Sequence, residues 1–342
     1  MAQVIAPRAK SAMTGKRSLK QVVKIAAGLA LIVFLLHQTG LEKTISALSQ
    51  ANLWFIPLGV LMYLMAQLMS TYRWQFLSEA LGFHRSLREL YDYYLIGMFS
   101  NQFLPGAIGG DAVRMYYLAK SCNRKKREAL LTLLAERGVG LVALLLLTSA
   151  ICLLPAVANL NWDIPVHLPG LPLWHWNVRF LMLMLSALVI LGYIGLWLVP
   201  LQAWVERFPK LSLLGQARVY WANIPLLVKS ISLSIVVHAF MVLVHLLIAN
   251  AMHVHVPFLY LAVLYGVVSL VSVLPITQGG LGVRELAYQS LLVKLGVNPD
   301  TALAFGVDWF LISTLTSLFG GIILMKGHYK TPEPAEMELS DA

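Results

Sequence analysis

The sequence predicts an all-α polytopic membrane protein with about six full spans and two re-entrant broken hairpins in an inverted repeat. Three observations carry that expectation. Hydrophobic residues make up 58% of the 342-residue chain and charged residues only 12%, with a mean hydropathy of +0.73, far outside the range of a soluble domain. Apolar stretches of about 20 residues, enough to cross about 30 Å of hydrocarbon, recur along most of the chain. Finally, a motif rich in proline, glycine and arginine occurs twice, each time interrupting an apolar segment.

Residues 1–19 form a basic segment, expected on the cytoplasmic side, with Lys16 and Arg17 ahead of a first span at about 20–38. Arg8 to Lys24 followed by Ile25 to Leu36 has the layout of a signal peptide, but no small-residue cleavage site follows, so a retained span is expected. Further spans are predicted at about 53–72, 131–154, 179–199, 226–250 and 301–325. The connections 73–90, 119–130 and 201–223 and the stretch after Lys326 are basic, which places them in the cytoplasm together with both termini. Segments 39–52, 155–178, 251–256 and 296–300 are poor in Lys and Arg, and 155–178 carries Trp162, Trp174 and Trp176 as an interfacial belt would. A bacterial-type cytoplasmic membrane is expected. Residues 326–342 read as a disordered cytoplasmic tail. No polar stretch is long enough to fold alone, so 20–325 is expected to be one membrane domain.

Two segments fit no single crossing. Residues 91–118 begin and end beside basic connections, yet about 28 residues are too few for two crossings at about 1.5 Å per residue. A re-entrant hairpin is the solution that remains. Residues 257–295 begin and end on the other side and are broken by Pro275, Gly279, Gly280 and Gly282. Their first arm has nearly spanning length, which leaves an eight-span alternative open.

The two breaks are related. Leu104, Pro105, Gly109, Gly110, Val113 and Arg114 recur as Leu274, Pro275, Gly279, Gly280, Val283 and Arg284 at a constant offset of 170. Each hairpin follows a span, and each precedes one with an acid near its start, Glu136 in the first half and Asp308 in the second. Repeat halves at about 53–154 and 226–325 entering from opposite sides are the architecture of many transporters, whose site lies where the broken helices meet.

The chemistry at the breaks follows from the backbone. Pro105 and Pro275 end the inbound helices, and the glycine pairs permit positive φ and close approach to a ligand. Outbound helices starting near Asp111 and Leu281 present free N–H groups, which attract anions. Arg114 and Arg284 stand in the first turns, where the helix dipole disfavours a cation, so each needs a negative partner. For Arg114 that is Asp111; for Arg284 it is Glu285, Asp308 or, across the repeat, Glu136. Two readings stand: the arginines receive a lipid phosphate, or they are fixed internal ion pairs holding the hairpins closed. Asn101, Gln102, Thr277 and Gln278 either line the same cavity or satisfy the hairpins' own backbone.

Arg73 and Arg137 are expected to snorkel to head groups from cytoplasmic helix ends. His238 and His245 share a helix face, but spacing alone falls short of a metal site, and none is predicted. No cofactor motif and no Walker, nucleophile-elbow or zincin string occurs, so no catalytic residue is assigned. The +10 net charge reads as attraction to anionic lipid rather than to nucleic acid. An oligomer is compatible with all of this.

At these residues the chain resembles the lysylphosphatidylglycerol synthase transmembrane family, also described as a flippase-like domain. The resemblance rests on three motifs, namely Gly97 and Asn101 through Leu104-Pro105-Gly106 to Gly109-Gly110-Asp111 and Arg114; Glu136-Arg137 with Gly140-Leu141; and Leu274-Pro275 through Gly279-Gly280-Leu281-Gly282 to Arg284-Glu285. It covers most of 20–325. It implies a lipid-handling membrane domain, which in the best-known relatives moves an aminoacylated phosphatidylglycerol between leaflets. Those relatives continue into a soluble aminoacyl-transferase domain, and this chain does not, so a stand-alone member without lysine transfer is expected. The expected function is translocation of a phospholipid or polyisoprenoid-type lipid, with a phosphate-headed lipid as partner. The alternatives are a membrane-embedded transferase acting on a lipid carrier and an accessory subunit of envelope assembly.

Overall fold

The computed structural model describes residues 52, 54–103, 109–160, 162–166, 174–198, 212–274, 277, 280–327 and 329. Among these residues the chain is nearly all helix. The helices are α1 (Phe55–Glu79), α2 (Leu87–Phe103), α3 (Gly109–Cys122), α4 (Lys126–Cys152), α5 (Val178–Leu198), α6 (Ser212–Ala222), α7 (Ile224–Ala251), α8 (Phe258–Val273), α9 (Val283–Val293) and α10 (Pro299–Met325). Between α4 and α5 a short antiparallel ribbon pairs β1 (Asp163–Val166) with β2 (Trp174–Asn177), Asp163 opposite Asn177. No strand signal in the sequence announces this ribbon. It lies beyond the apolar runs, where the backbone can close its hydrogen bonds between strands instead of along a helix.

Among the described residues five helices, α1, α4, α5, α7 and α10, are long and apolar enough to cross a membrane. The expected span at 20–38, the basic segment before it and nearly all of the acidic tail lie outside the described residues. α1 continues past its expected end at residue 72, to Glu79. The apolar run stops at Arg73, but that side chain is buried and paired, so its charge does not end the helix. Local chemistry sets other boundaries: Asn223 accepts from the Leu226 N–H at the start of α7 and Asn298 from that of Asp300 at the start of α10, each helix with proline in its first turn.

The loops sort to two ends. At one end Arg85 donates to the Ser121 carbonyl and to Cys122 Sγ, Arg124 to the Leu81 carbonyl, and Tyr329 to Asp92. At the other, Asn52 N–H meets the Ala251 carbonyl, Arg179 binds the Cys152 and Ala158 carbonyls, and Lys294 reaches the Asp163 carbonyl. The first end gathers Arg85, Arg88, Arg124, Lys125, Lys126, Arg127 and Lys326, as the charge bias requires. Cys122 and Cys152 are both free thiols and stand at opposite ends.

The arms of the two hairpins are short. α2, α3, α8 and α9 have 17, 14, 16 and 11 residues, or about 26, 21, 24 and 17 Å at about 1.5 Å per residue, each below the roughly 30 Å of a hydrocarbon core. These lengths favour re-entrant arms over the eight-span alternative.

Packing follows the repeat. Every major contact in one half has a counterpart in the other: α1 on α2 and α7 on α8, α2 on α3 and α8 on α9, α3 on α4 and α9 on α10. Contacts between halves match too, α2 on α10 with α8 on α4, and α4 on α7 with α10 on α1. On the axis of this exchange α1 and α7 pack antiparallel along their whole length. Asn52 meets Ala251 at one end, Arg73 donates to Ser234 (2.6 Å) further along, and Lys229 sits 3.2 Å over the Phe76 ring near the other end. In the matched α2–α10 and α4–α8 crossings a glycine admits the neighbouring helix. A Cβ on Gly320 would strike the Leu95 carbonyl, and one on Gly266 the Thr148 side chain.

Candidate functional site: a buried ion lattice at the first hairpin

α1, α3 and α4 converge on five charged side chains. Arg73 on α1 donates through Nη2 to Glu136 Oε1 (2.6 Å) and through Nη1 to Ser234 Oγ on α7 (2.6 Å). Arg114 on α3 donates through Nη2 to Glu136 Oε2 (3.0 Å) and through Nη1 to Asp111 Oδ1 (3.4 Å). Arg137 on α4 donates through Nε to Asp111 Oδ2. Tyr94 on α2 gives a further hydrogen bond to Glu136 Oε1 (3.3 Å). Side chains of Arg73, Arg114 and Glu136 are 3–5% exposed. Charges so deep are tolerable only because each carboxylate bridges two guanidiniums.

The lattice is rigid for a second reason. The Arg114 guanidinium lies 3.9 Å from the Tyr94 ring centroid and 4.3 Å from that of Trp74, so two aromatic rings pack against it. Trp74 is held by its Nε1–H on Thr132 Oγ1 (3.0 Å). Arg73 Nε and Arg114 Nε are buried with no hydrogen-bond partner among the described residues.

Asn101, Gly109, Gly110, Asp111, Arg114 and Glu136 lie together around the first hairpin, but the glycines do not take the positive φ that the sequence suggests. Gly110 lies inside α3 and has no positive φ. It is needed because α2 passes so close that a Cβ would overlap the Gly97 carbonyl and approach the Asn101 side chain to 2.7 Å. Asn101 Oδ1 accepts from the Gly110 N–H (2.6 Å). It therefore serves the hairpin's own backbone. Arg73 does not snorkel; it is buried and locked to Glu136. Pro105 lies outside the described residues.

At the second hairpin Gly280 and Gly282 do take positive φ, +76° and +80°. Glu285 accepts from the Gly282 N–H with Oε2 (2.6 Å) and from Arg284 Nη2 with Oε1 (2.5 Å). A carboxylate of the chain itself thus fills the anion position at this helix start. Of the three acids weighed for Arg284, Glu285 is the one used; Glu136 belongs to Arg114. The residue 170 positions after Glu136 is Gly306, whose missing side chain leaves room for Glu285, 3.3 Å from where a Cβ would stand. Asp308 is 6% exposed and has neither an ion pair nor a hydrogen bond among the described residues. Pro275, Gln278 and Gly279 lie outside the described residues, and Thr277 Oγ1 is buried without a partner among them.

A file of buried aromatic and imidazole groups joins the two sites. The carbonyl of Gly140, on the helix that carries Glu136, meets His238 Nε2 (3.0 Å), and His238 Nδ1 meets Tyr265 Oη (2.8 Å). The Tyr265 ring packs edge-on against His245, whose Nε2 meets Tyr288 Oη (2.6 Å) and whose Nδ1 meets the Met241 carbonyl (2.7 Å). A carbonyl only accepts, so His238 carries its proton on Nε2 and His245 on Nδ1, and both tyrosines donate. All four ring nitrogens are thereby engaged. This is why the helical spacing of these histidines does not make a metal site. The signal that was available in the sequence is that each histidine shares the core-facing stripe of α7.

The sequence profile of the family described as "Lysylphosphatidylglycerol synthase TM region" matches residues 21–321. The chain belongs to that family. A UPF0104 membrane protein of Pyrococcus horikoshii is 25% identical over 330 residues, covering 90% of this chain and 97% of its own length. A UPF0104 membrane protein of Methanocaldococcus jannaschii is 26% identical over 130 residues, 38% of this chain and 39% of its own. The chain is therefore similar over nearly its full length to a stand-alone membrane protein. It is a multi-pass membrane protein of this family, and Gly97, Asn101, Gly110, Asp111, Arg114, Glu136, Arg137 and Gly140, from the first two motifs read in its sequence, stand in the lattice and its surroundings together with Arg73.

Proposed function

We propose that the chain is a lipid translocator that moves a phospholipid or polyisoprenoid-type lipid between leaflets of the cytoplasmic membrane, with its basic end and both termini in the cytoplasm. The observation that carries this reading is the buried ion lattice at a helix break. A transmembrane domain gains nothing in stability from five charged groups that well-packed apolar residues would replace. Charges kept at such depth mark the path of a charged cargo. The cargo is a lipid with a phosphate head group, since guanidiniums beside a helix start favour phosphate. Membership in a family described by a lipid synthase's membrane region supports the same substrate class.

The test is reconstitution of the purified chain into vesicles carrying a fluorescent phospholipid, with an impermeant quencher outside. Accelerated loss of protected fluorescence at constant lipid mass is the expected result. A change in lipid mass would instead assign a transferase. No movement of any phosphate-headed lipid would remove the translocator reading.

A further inference from the structure

Resting on the translocator reading, we infer that Arg137 is the residue that touches the lipid phosphate, and that the ligand is a phosphodiester head group bearing one negative charge. Arg114, the natural candidate by sequence, is unavailable. Two aromatic rings, Trp74 and Tyr94, pack against it and both Nη groups are bound to carboxylates. Arg73 is equally committed, to Glu136 and Ser234. Arg137 differs from both: its Nε is tied to Asp111, its side chain is 54% exposed, and its Nη groups have no hydrogen-bond partner among the described residues.

Its surroundings make that exposure costly. Arg137 lies eleven residues after the start of α4 at Lys126, or about 16 Å along the helix axis. One turn to either side on the same face stand Leu134 and Leu141, 57% and 38% exposed, and at Gly138 a Cβ would meet nothing within 4 Å. The guanidinium thus opens on an apolar surface of a spanning helix. Free snorkelling to the interface is blocked, because the bond to Asp111 anchors the side chain to the first turn of α3. A guanidinium paired only through Nε, with its Nη groups open among lipid chains, has room for a further anion, and two adjacent Nη groups beside a helix start suit two phosphate oxygens.

The charge count sets the class of anion. Arg73, Arg114 and Arg137 face Asp111 and Glu136, leaving one positive charge uncompensated, and it resides on the one guanidinium that is open. Residues 104–108 of the hairpin, Leu-Pro-Gly-Ala-Ile, add no charge. A phosphodiester monoanion neutralises the lattice, whereas a diphosphate overfills it. Asp111, Arg114 and Glu136 are positioning residues for this contact.

Native mass spectrometry of the full chain, purified in detergent and offered defined lipids, tests the inference. Expected is stoichiometric retention of phosphatidylglycerol over a neutral diacylglycerol, and at least tenfold preference for it over a polyprenyl diphosphate. Arg137→Gln should lower phosphatidylglycerol retention at least tenfold and Arg137→Lys less, with the unfolding temperature of both variants kept, since the side chain is half exposed. Wild-type retention by Arg137→Gln would remove Arg137 from the contact. Tighter binding of the diphosphate would overturn the charge assignment while leaving lipid handling intact. Failure of wild type to retain any phosphate lipid would defeat the translocator reading as well.

Discussion

Arg73 and Glu136, 63 residues apart in sequence, meet at 2.6 Å between α1 and α4, and both are almost wholly buried. The carboxylate also holds Arg114, so its removal weakens two almost wholly buried guanidiniums at once, whereas Asp111 holds one buried and one exposed. Glu136→Gln should therefore destabilise the protein by at least the roughly 3–5 kcal/mol typical of breaking a buried pair. Asp111→Asn, which touches Arg114 at longer range and the exposed Arg137, should cost less. Thermal unfolding in detergent ranks the two. Equal losses would mean that Glu136 is not the keystone.

Gly110 is predicted to be intolerant for reasons of space. A Cβ there would run into the Gly97 carbonyl and the Asn101 side chain, and neither α2 nor α3 can withdraw without opening the lattice. Gly110→Val should lower both transport and unfolding temperature, while Gly138→Val, where a Cβ meets nothing, should leave unfolding unchanged. A stably folded Gly110→Val variant with wild-type transport would refute the close approach of the two arms.

Much of this was legible in the chain, and what was not has a physical cause. The offset of 170 between Pro105 and Pro275 and between Arg114 and Arg284 announced the two breaks, because proline and paired glycine inside an apolar run have few other uses. Asp111 as the partner of Arg114 followed from helical spacing. Arg73 was misread because a charge at the end of an apolar run ordinarily marks a loop; only the tertiary fold brings Glu136 and Ser234 to it. The acid of the second site was undecided for the same reason. Sequence adjacency, separation by one span and symmetry each named a different carboxylate, and the glycine at 306 that admits Glu285 carries no charge to notice.

The imidazole file is predicted to be structural and fully bonded. Tyr288→Phe removes the donor to His245 Nε2 and leaves that nitrogen buried and unsatisfied, a loss of about 1–3 kcal/mol. His245→Phe removes both hydrogen bonds and the packing geometry with Trp309, 4.6 Å away. The Tyr288→Phe, His245→Phe double variant should lose less than the two single losses combined, because the second change removes a group the first had already stranded. Additive unfolding shifts would show that the two side chains are not coupled.

The last prediction concerns the asymmetry of the two arginines that the repeat makes equivalent in sequence. Arg114 is gripped by Glu136, Asp111 and two aromatic faces, whereas Arg284 has Glu285 beside it, side-chain exposure of 12%, and Phe310 at 5.6 Å. Lysine keeps the charge in either place but has no planar fork to bridge two carboxylates and no flat face to stack. Arg114→Lys should therefore lower the unfolding temperature substantially and abolish transport. Arg284→Lys, whose ammonium still reaches a neighbouring carboxylate, should keep most of its stability. Neutralising Asp111 together with Arg114, as Asp111→Asn with Arg114→Gln, should not restore transport, because Arg137 then loses the anchor that holds it against its lipid. Equal defects at 114 and 284, or recovery in the double variant, would show instead that each arginine does no more than neutralise its neighbour.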